Sequence, residues 1–256
     1  MDNQKRSDNN DELIIGRNAI LEALKSERAI NTLFVAKGER NGSVGRIIAH
    51  CREKKIVIKE VDKKKLDFMC GQGNHQGVAA YAAAHEYAEV EDIFALAEQR
   101  GEQPFIIICD ELEDPHNLGA IIRTAEAAGA HGVIIPERRN ASLTWAVGKS
   151  AAGALEYMPV ARVGNLARTI DQLKEKGLWI YSADMDGQPW CETDFGGAVA
   201  LVIGSEGKGV GRLIREKSDF IVSLPMNGQI NSLNASVAAG ILMYEVARQR
   251  SGLGSK

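Results

Sequence analysis

Three stretches of the chain hold residue types able to grip a polar ligand or steady a developing charge. The first runs Asp110-Glu111-Leu112-Glu113-Asp114-Pro115-His116-Asn117 and leads into a helical pattern over 118–128, so Arg123 follows Asn117 by six residues. With Asn117 as the helix cap and Gly129 as its stop, Arg123 lies about one and a half turns into the helix, long enough to reach past the end of the preceding strand. An ordinary surface arginine on a capped helix fits the same pattern. The second stretch, 203–211, has glycine at 204, 207, 209 and 211, with Glu206 among them. Glycine at that density lets backbone approach something closely. Neither familiar phosphate loop fits. A P-loop would need glycine at Val202 and a hydroxyl at Gly209, and the dinucleotide fingerprint begun at Gly207 would need glycine at Arg212. Glu206 would also repel a phosphate. The third stretch, from Leu224-Pro225-Met226 to Ser232-Leu233-Asn234-Ala235-Ser236, is uncharged. Asn234 or Ser232 is placed to cap the last helix, and the loop's amides and free backbone groups beside apolar side chains suit a neutral heterocycle better than a phosphate.

Each stretch follows a short apolar run: 105–109 (FIIIC), 199–203 (VALVI) and 220–224 (FIVSL). Further runs at 132–135, 158–160 and 178–182 alternate with helical patterns at 118–128, 143–152, 165–176, 210–217 and 235–249. Strands rich in Val and Ile, each followed by a helix, predict an α/β fold with a mainly parallel sheet covered on both faces. Ligands in such sheets sit at the carboxyl ends of the strands, where all three stretches begin. Ahead of this lies a smaller α/β unit over 13–84, with helices expected at 17–26, 43–54 and 62–69 (the last behind an Asp62 cap) and strands at 32–36, 55–61 and 78–82. Residues 85–100 read as a linker and an amphipathic helix stopping at Gly101, 101–256 as the second domain, and 1–12 as a disordered lead-in.

Of the 256 residues, 45% are apolar and 25% charged, which excludes a disordered or fibrous chain as a description of the whole. The longest apolar runs span six or seven residues, as in 198–203 and 78–84, against about 20 for a membrane helix. The N-terminus has no apolar segment after its first charges, so no secretory signal is expected and the cytoplasm is the expected location. Cys51, Cys70, Cys109 and Cys191 are far apart and form no CxxC pair, so reduced thiols are expected rather than zinc. The net charge of −3 hides an asymmetry. Residues 13–85 carry 13 Lys and Arg against 7 Asp and Glu, whereas 86–256 carry 16 against 23. A basic block joined to an acidic one suggests that the first meets a polyanion; solvated faces would account for it equally.

Taken in order, the three stretches resemble the motifs of the SpoU family of RNA ribose 2′-O-methyltransferases, in the SPOUT class. The matching segments are Asn117-Leu118-Gly119-Ala120-Ile121-Ile122-Arg123-Thr124-Ala125, Gly204-Ser205-Glu206-Gly207-Lys208-Gly209, and Leu224-Pro225-Met226 with Ser232-Leu233-Asn234-Ala235-Ser236. The resemblance extends over about 104–250. Gly16-Arg17-Asn18-Ala19-Ile20 and His75-Gln76-Gly77-Val78 resemble the substrate-binding domain that precedes the catalytic domain in one branch, similar to a ribosomal-protein RNA-binding fold. That branch is like the 23S ribosomal RNA guanosine-2′-O-methyltransferase type.

The resemblance implies a trefoil-knotted catalytic domain, S-adenosylmethionine as methyl donor, a homodimer, no metal, and ribosomal RNA (23S) or transfer RNA as partner. In the family, the residue matching Arg123 is proposed to activate the 2′-hydroxyl. Because a guanidinium stays protonated, an electrostatic role is the more economical one: Arg123 would hold phosphate and steady the developing alkoxide, with Ser232 as one outlet for the proton. Asn117 would orient Arg123 or the ribose. Glu206 would orient Asn117 or Arg123, or favour the sulfonium, and Asn234 would shape the donor loop. Backbone at Gly204, Leu224 and Leu233, with Met226 alongside, would hold the donor. The competing readings are a transfer RNA guanosine-2′-O-methyltransferase, a resistance-type enzyme acting on ribosomal adenosine, and a non-catalytic RNA-binding ribosome-assembly protein.

Overall fold

The computed structural model describes residues 13–25, 29–39, 42–71, 73–82 and 85–252; the lead-in expected at 1–12 lies outside them. The chain divides into two compact units, one of residues up to 86 with Ser142–Gly148, the other of Tyr87–Ala141 and the residues from Lys149 onward.

The first unit runs β1 (Leu13–Ile15), α1 (Arg17–Lys25), β2 (Ile30–Ala36), α2 (Gly42–Glu53), β3 (Val57–Val61), α3 (Lys63–Met69) and β4 (Val78–Ala82). Its sheet has the order β1-β4-β2-β3, with β2 and β3 parallel and β4 antiparallel to β1 and β2. Successive side chains of a strand point to opposite faces, and β2 shows it. Leu33 and Val35 join Ile20, Leu24, Val44 and Ile47 of α1 and α2, while Phe34 and Ala36 join Leu66 and Cys70 of α3 and its end. β1 escaped the sequence reading because three residues are too few to show a period. Asp62 occupies the cap position of α3, but its side chain makes no cap bond and pairs instead with Lys37 at 2.9 Å.

The second unit runs α4 (Val90–Arg100), β5 (Phe105–Cys109), α5 (Pro115–Ala127), β6 (Gly132–Pro136), α6 (Trp145–Ala151, its first residues grouped with the other unit), β7 (Val160–Val163), α7 (Leu166–Glu175), β8 (Trp179–Pro189), β9 (Val199–Ile203), α8 (Arg212–Lys217), β10 (Phe220–Ser223) and α9 (Ala235–Arg250). The sheet order is β10-β8-β9-β5-β6-β7, parallel throughout, so all carboxyl ends share one edge. β5 and β9 pair along their full length and are buried at every residue, as a strand covered on both faces must be.

Residues 90–100 form the amphipathic helix expected to stop at Gly101; Ile93 and Ala97 of α4 are buried, and Ile93 packs with Ile106 and Ile134 in the second unit's core. Gly132 leaves the room, since a side chain there would collide with Ile93. Two local expectations need correction, at α5 and at β8. α5 starts earlier than expected. Its cap is Asp114, which accepts from the His116 N–H at 2.9 Å, with Pro115 at the first helical position. Finally, β8 runs seven residues past the expected end at 182, and its pairing with β10 jumps from Ser182 to Gln188. Residues 183–187 thereby leave the ladder. Gly187 permits this, because a Cβ there would lie 2.5 Å from the Ile221 carbonyl.

Candidate active site

The three post-strand loops meet at the carboxyl edge of the large sheet. Displaced from the cap of α5, Asn117 sits inside its first turn with its side chain buried at 5% exposure. Its Nδ2 donates to Glu206 Oε1 at 2.9 Å, and its Oδ1 accepts from Asn234 Nδ2 at 3.0 Å. Asn234 Nδ2 also donates to Glu206 Oε1 at 2.6 Å. Asn234 meanwhile caps α9, its Oδ1 accepting from the Ser236 and Val237 N–H groups; Ser232 does not take that role. Residues 117 and 234 are thus joined through one carboxylate that belongs to neither segment. Asp110 makes a second tie, accepting from the Gly211 N–H at 2.7 Å, and burial pushes its carboxyl above the ordinary aspartate range.

Behind this cluster lies a cavity of about 270 Å³. Gly204, Glu206, Leu224, Met226, Ser232 and Leu233 all line it, so six of the nine residues expected to form the site face one space. The Gly204 backbone passes so near Gly209 and Val210 that any side chain at 204 would strike them. That contact turns the glycine-rich segment back on itself, and Ser205 and Gly209 bridge by mutual backbone bonds of 3.1 and 2.9 Å. Asp184 and Met185 also line the cavity. They come from the stretch of β8 that leaves the ladder. The only sequence signal was an acidic residue just after an apolar run, and the bulge that aims it inward has no signature of its own.

Arg123 stands apart. It is exposed on α5, about two and a half turns from the Asp114 cap, and hydrogen-bonds to no described residue. It does not line the cavity. Cys109, adjoining the site at the end of β5, is no nucleophile: burial, with Asp110 beside it, pushes its thiol up to about 12. Among the described residues no group of three or more His, Cys, Asp or Glu could hold a metal ion, and no helix is long and apolar enough to cross a membrane.

Comparison with known proteins agrees with this layout. The model of the SpoU rRNA Methylase family matches residues 104–244, and that described as RNA 2'-O ribose methyltransferase substrate binding matches residues 13–88. A Bacillus subtilis relative, YacO, named for the TrmH family of tRNA/rRNA methyltransferases, is 52% identical over 242 residues, 94% of this chain and 97% of its own. A TrmH family relative from Staphylococcus saprophyticus is 44% identical over 95% of this chain and 98% of its own. Among solved structures, the SpoU methyltransferase AviRb from Streptomyces viridochromogenes, in complex with AdoMet, shares the fold at TM-score 0.60 and 24% identity over 94% of this chain and 90% of its own. The A. aeolicus TrmH/SpoU tRNA modifying enzyme is 29% identical at TM-score 0.54, over 60% of this chain and 78% of its own.

Proposed function

This chain belongs to the SpoU rRNA Methylase family, and from that premise we propose that it transfers a methyl group from S-adenosylmethionine to a ribose 2′-hydroxyl of RNA. The observation that supports this most is convergence: Asn117, Glu206 and Asn234 share one hydrogen-bond cluster, and residues of the second and third loops line one cavity beside it. The cavity's chemistry suits the donor. Apolar Leu224, Met226 and Leu233 would face the neutral ring, and the Asp184 and Glu206 carboxylates would favour a cation.

The donor, when bound, supplies a methyl group already activated by the positive charge on sulfur. The chain's own residues then answer for the acceptor, because a 2′-hydroxyl is a weak nucleophile that must lose its proton and be held in line. Arg123, a cation without a partner among the described residues, would steady the alkoxide and the adjoining phosphate. The Ser232 hydroxyl offers the proton one way out. Asn117, Glu206 and Asn234 are positioning residues that hold three loops in register, and the apolar wall keeps water away. A trefoil knot belongs to this reading. β10 lies outside β8, yet the chain after it returns to Asn117 beyond β9. So does a homodimer.

The specific acceptor we propose is a guanosine of 23S ribosomal RNA, supported by the separate substrate-binding unit ahead of the catalytic one. A transfer RNA acceptor is the second reading, favoured by the relatives' names, which carry both RNAs. Mapping 2′-O-methyl positions in both RNAs from a deletion strain tests this. A guanosine in 23S RNA that loses its mark is the expected result. A lost transfer RNA mark would select the second reading, and no lost mark together with no heat of donor binding in calorimetry would favour a non-catalytic RNA-binding protein.

A further inference from the structure

Helix α3 of the first unit places its charges where they oppose helix formation. Lys63, Lys64 and Lys65 fill its first turn, the positive end of the backbone dipole, where an acidic residue would stabilise it. None of the three pairs with a carboxylate among the described residues; Asp62 is taken by Lys37 and Asp67 by His75, whose Nε2 lies 2.8 Å away. Leu66 is fully buried and fixes the inward face. Residues three and four apart are neighbours on a helix surface, so Phe68 shares the outward face with Lys64 and Lys65, opposite Leu66. Phe68 is 87% exposed, the most exposed of the large apolar side chains described. Asp67, next to Phe68, is tied to His75, which is itself buried and whose Nδ1 accepts from the Gly77 N–H at 2.9 Å.

An apolar ring held in water, flanked by ammonium groups that have no carboxylate partner among the described residues and weaken their own helix, makes sense with a partner that is both aromatic and anionic. We infer that Phe68 is a stacking platform for an unpaired base of the RNA substrate, with Lys64 and Lys65 meeting the phosphates on either side of it. Single-stranded RNA has this chemistry, since each nucleotide brings a flat face and a negative charge. A protein partner would need carboxylates placed on both sides of an apolar pocket, whereas every unpaired nucleotide brings a flat face and a negative charge together, so charge complementarity favours RNA. The inference rests on the RNA reading above.

The test uses the full chain, with a fluorescent single-stranded RNA of about 12 nucleotides read by anisotropy. Phe68→Ala should weaken binding about tenfold, Phe68→Trp should restore it, and Phe68→Leu should not, since Leu keeps the apolar surface but lacks the stacking face. Replacing Lys64 and Lys65 with Gln should lower the salt slope of binding by about 1.4. Heat of S-adenosylmethionine binding should be unchanged in every variant, and turnover at saturating RNA should hold while KM rises. Wild-type affinity in Phe68→Ala, or full rescue by Leu, overturns the platform while leaving the RNA reading intact. A wild-type chain that binds no RNA defeats the RNA reading and the platform with it. Loss of a dimer in Phe68→Ala, seen in sedimentation, would assign the ring to a protein contact and overturn the proposal.

Discussion

Asn117 and Arg123 lie on one helix, six residues apart, and their surroundings could hardly differ more. Asn117 is buried and has both side-chain groups engaged, by a carboxylate and an amide from distant segments. Arg123 is exposed and engages nothing among the described residues. Both belong to the same sequence motif, yet the structure sorts them into two kinds. The cluster around Glu206 has its hydrogen bonds made before any ligand arrives, and its value lies in holding loops together. Arg123 leaves its donors open, and the proposed function is what would use them.

Substitutions can break or sharpen that contrast. The largest effect is expected at Gly204, where backbone rather than flexible side chain would have to move. Gly204→Ala should cost at least about 3 kcal/mol, a melting shift of roughly 6–12 °C, and should remove donor binding in calorimetry. Arg123→Ala should lower single-turnover methylation about a hundredfold or more while leaving both the melting temperature and donor affinity at wild-type values. An Arg123→Ala chain that melts early would erase the distinction between the two residues.

Glu206→Ala should act the opposite way from Arg123→Ala. It leaves the buried Asn117 amide without its acceptor, and because water reaches the exposed carboxylate the expected cost is only about 1 kcal/mol. Donor affinity should fall with the loosened loops. Added to Asn117→Ala, the second substitution should cost less than it does alone, since the Asn117–Glu206 bond is already gone and only the Asn234 and Ala235 donors still lose their acceptor; additive melting shifts would show that the residues do not act as a unit. The smallest effect concerns His131, remote from the site. It is fully buried, accepts from the Phe105 N–H through Nδ1, and is held below the ordinary histidine range by burial, against the opposing pull of Glu102. Protons therefore prefer the unfolded chain. The stability this gives is complete above about pH 6.5 and drains away as pH falls toward the lower folded value. Melting curves across pH 5–8 should show that loss, and His131→Gln should flatten it.

Much of this was legible along the chain. β4, β5 and β9 run where their apolar residues predicted, because a strand covered on both faces has to be written as continuous Val, Ile and Ala. Gly101 and Gly129 stop their helices with positive φ, a local demand that local sequence reveals. Asn117 as helix cap was a different matter. Asp114 and Asn117 are both good caps on paper, and the rival claim on Asn117 came from Glu206, 89 residues away. The bulge at 183–187 likewise depends on β10 pairing with β8 on both sides of it.

By itself, then, the sequence determined most of the elements though not β1 or the far end of β8, the two-part division of charge and the residue types at the loops, since propensity, periodicity and capping act within a few residues. It also set out Phe68 beside three lysines, though not that the ring stays uncovered. Only the tertiary structure decided which of those residues face one another. Strand order and a single carboxylate bring residues 117, 206 and 234 within bonding distance, and hydrogen bonds fall off over a few tenths of an ångström, a scale that spacing along a chain does not encode.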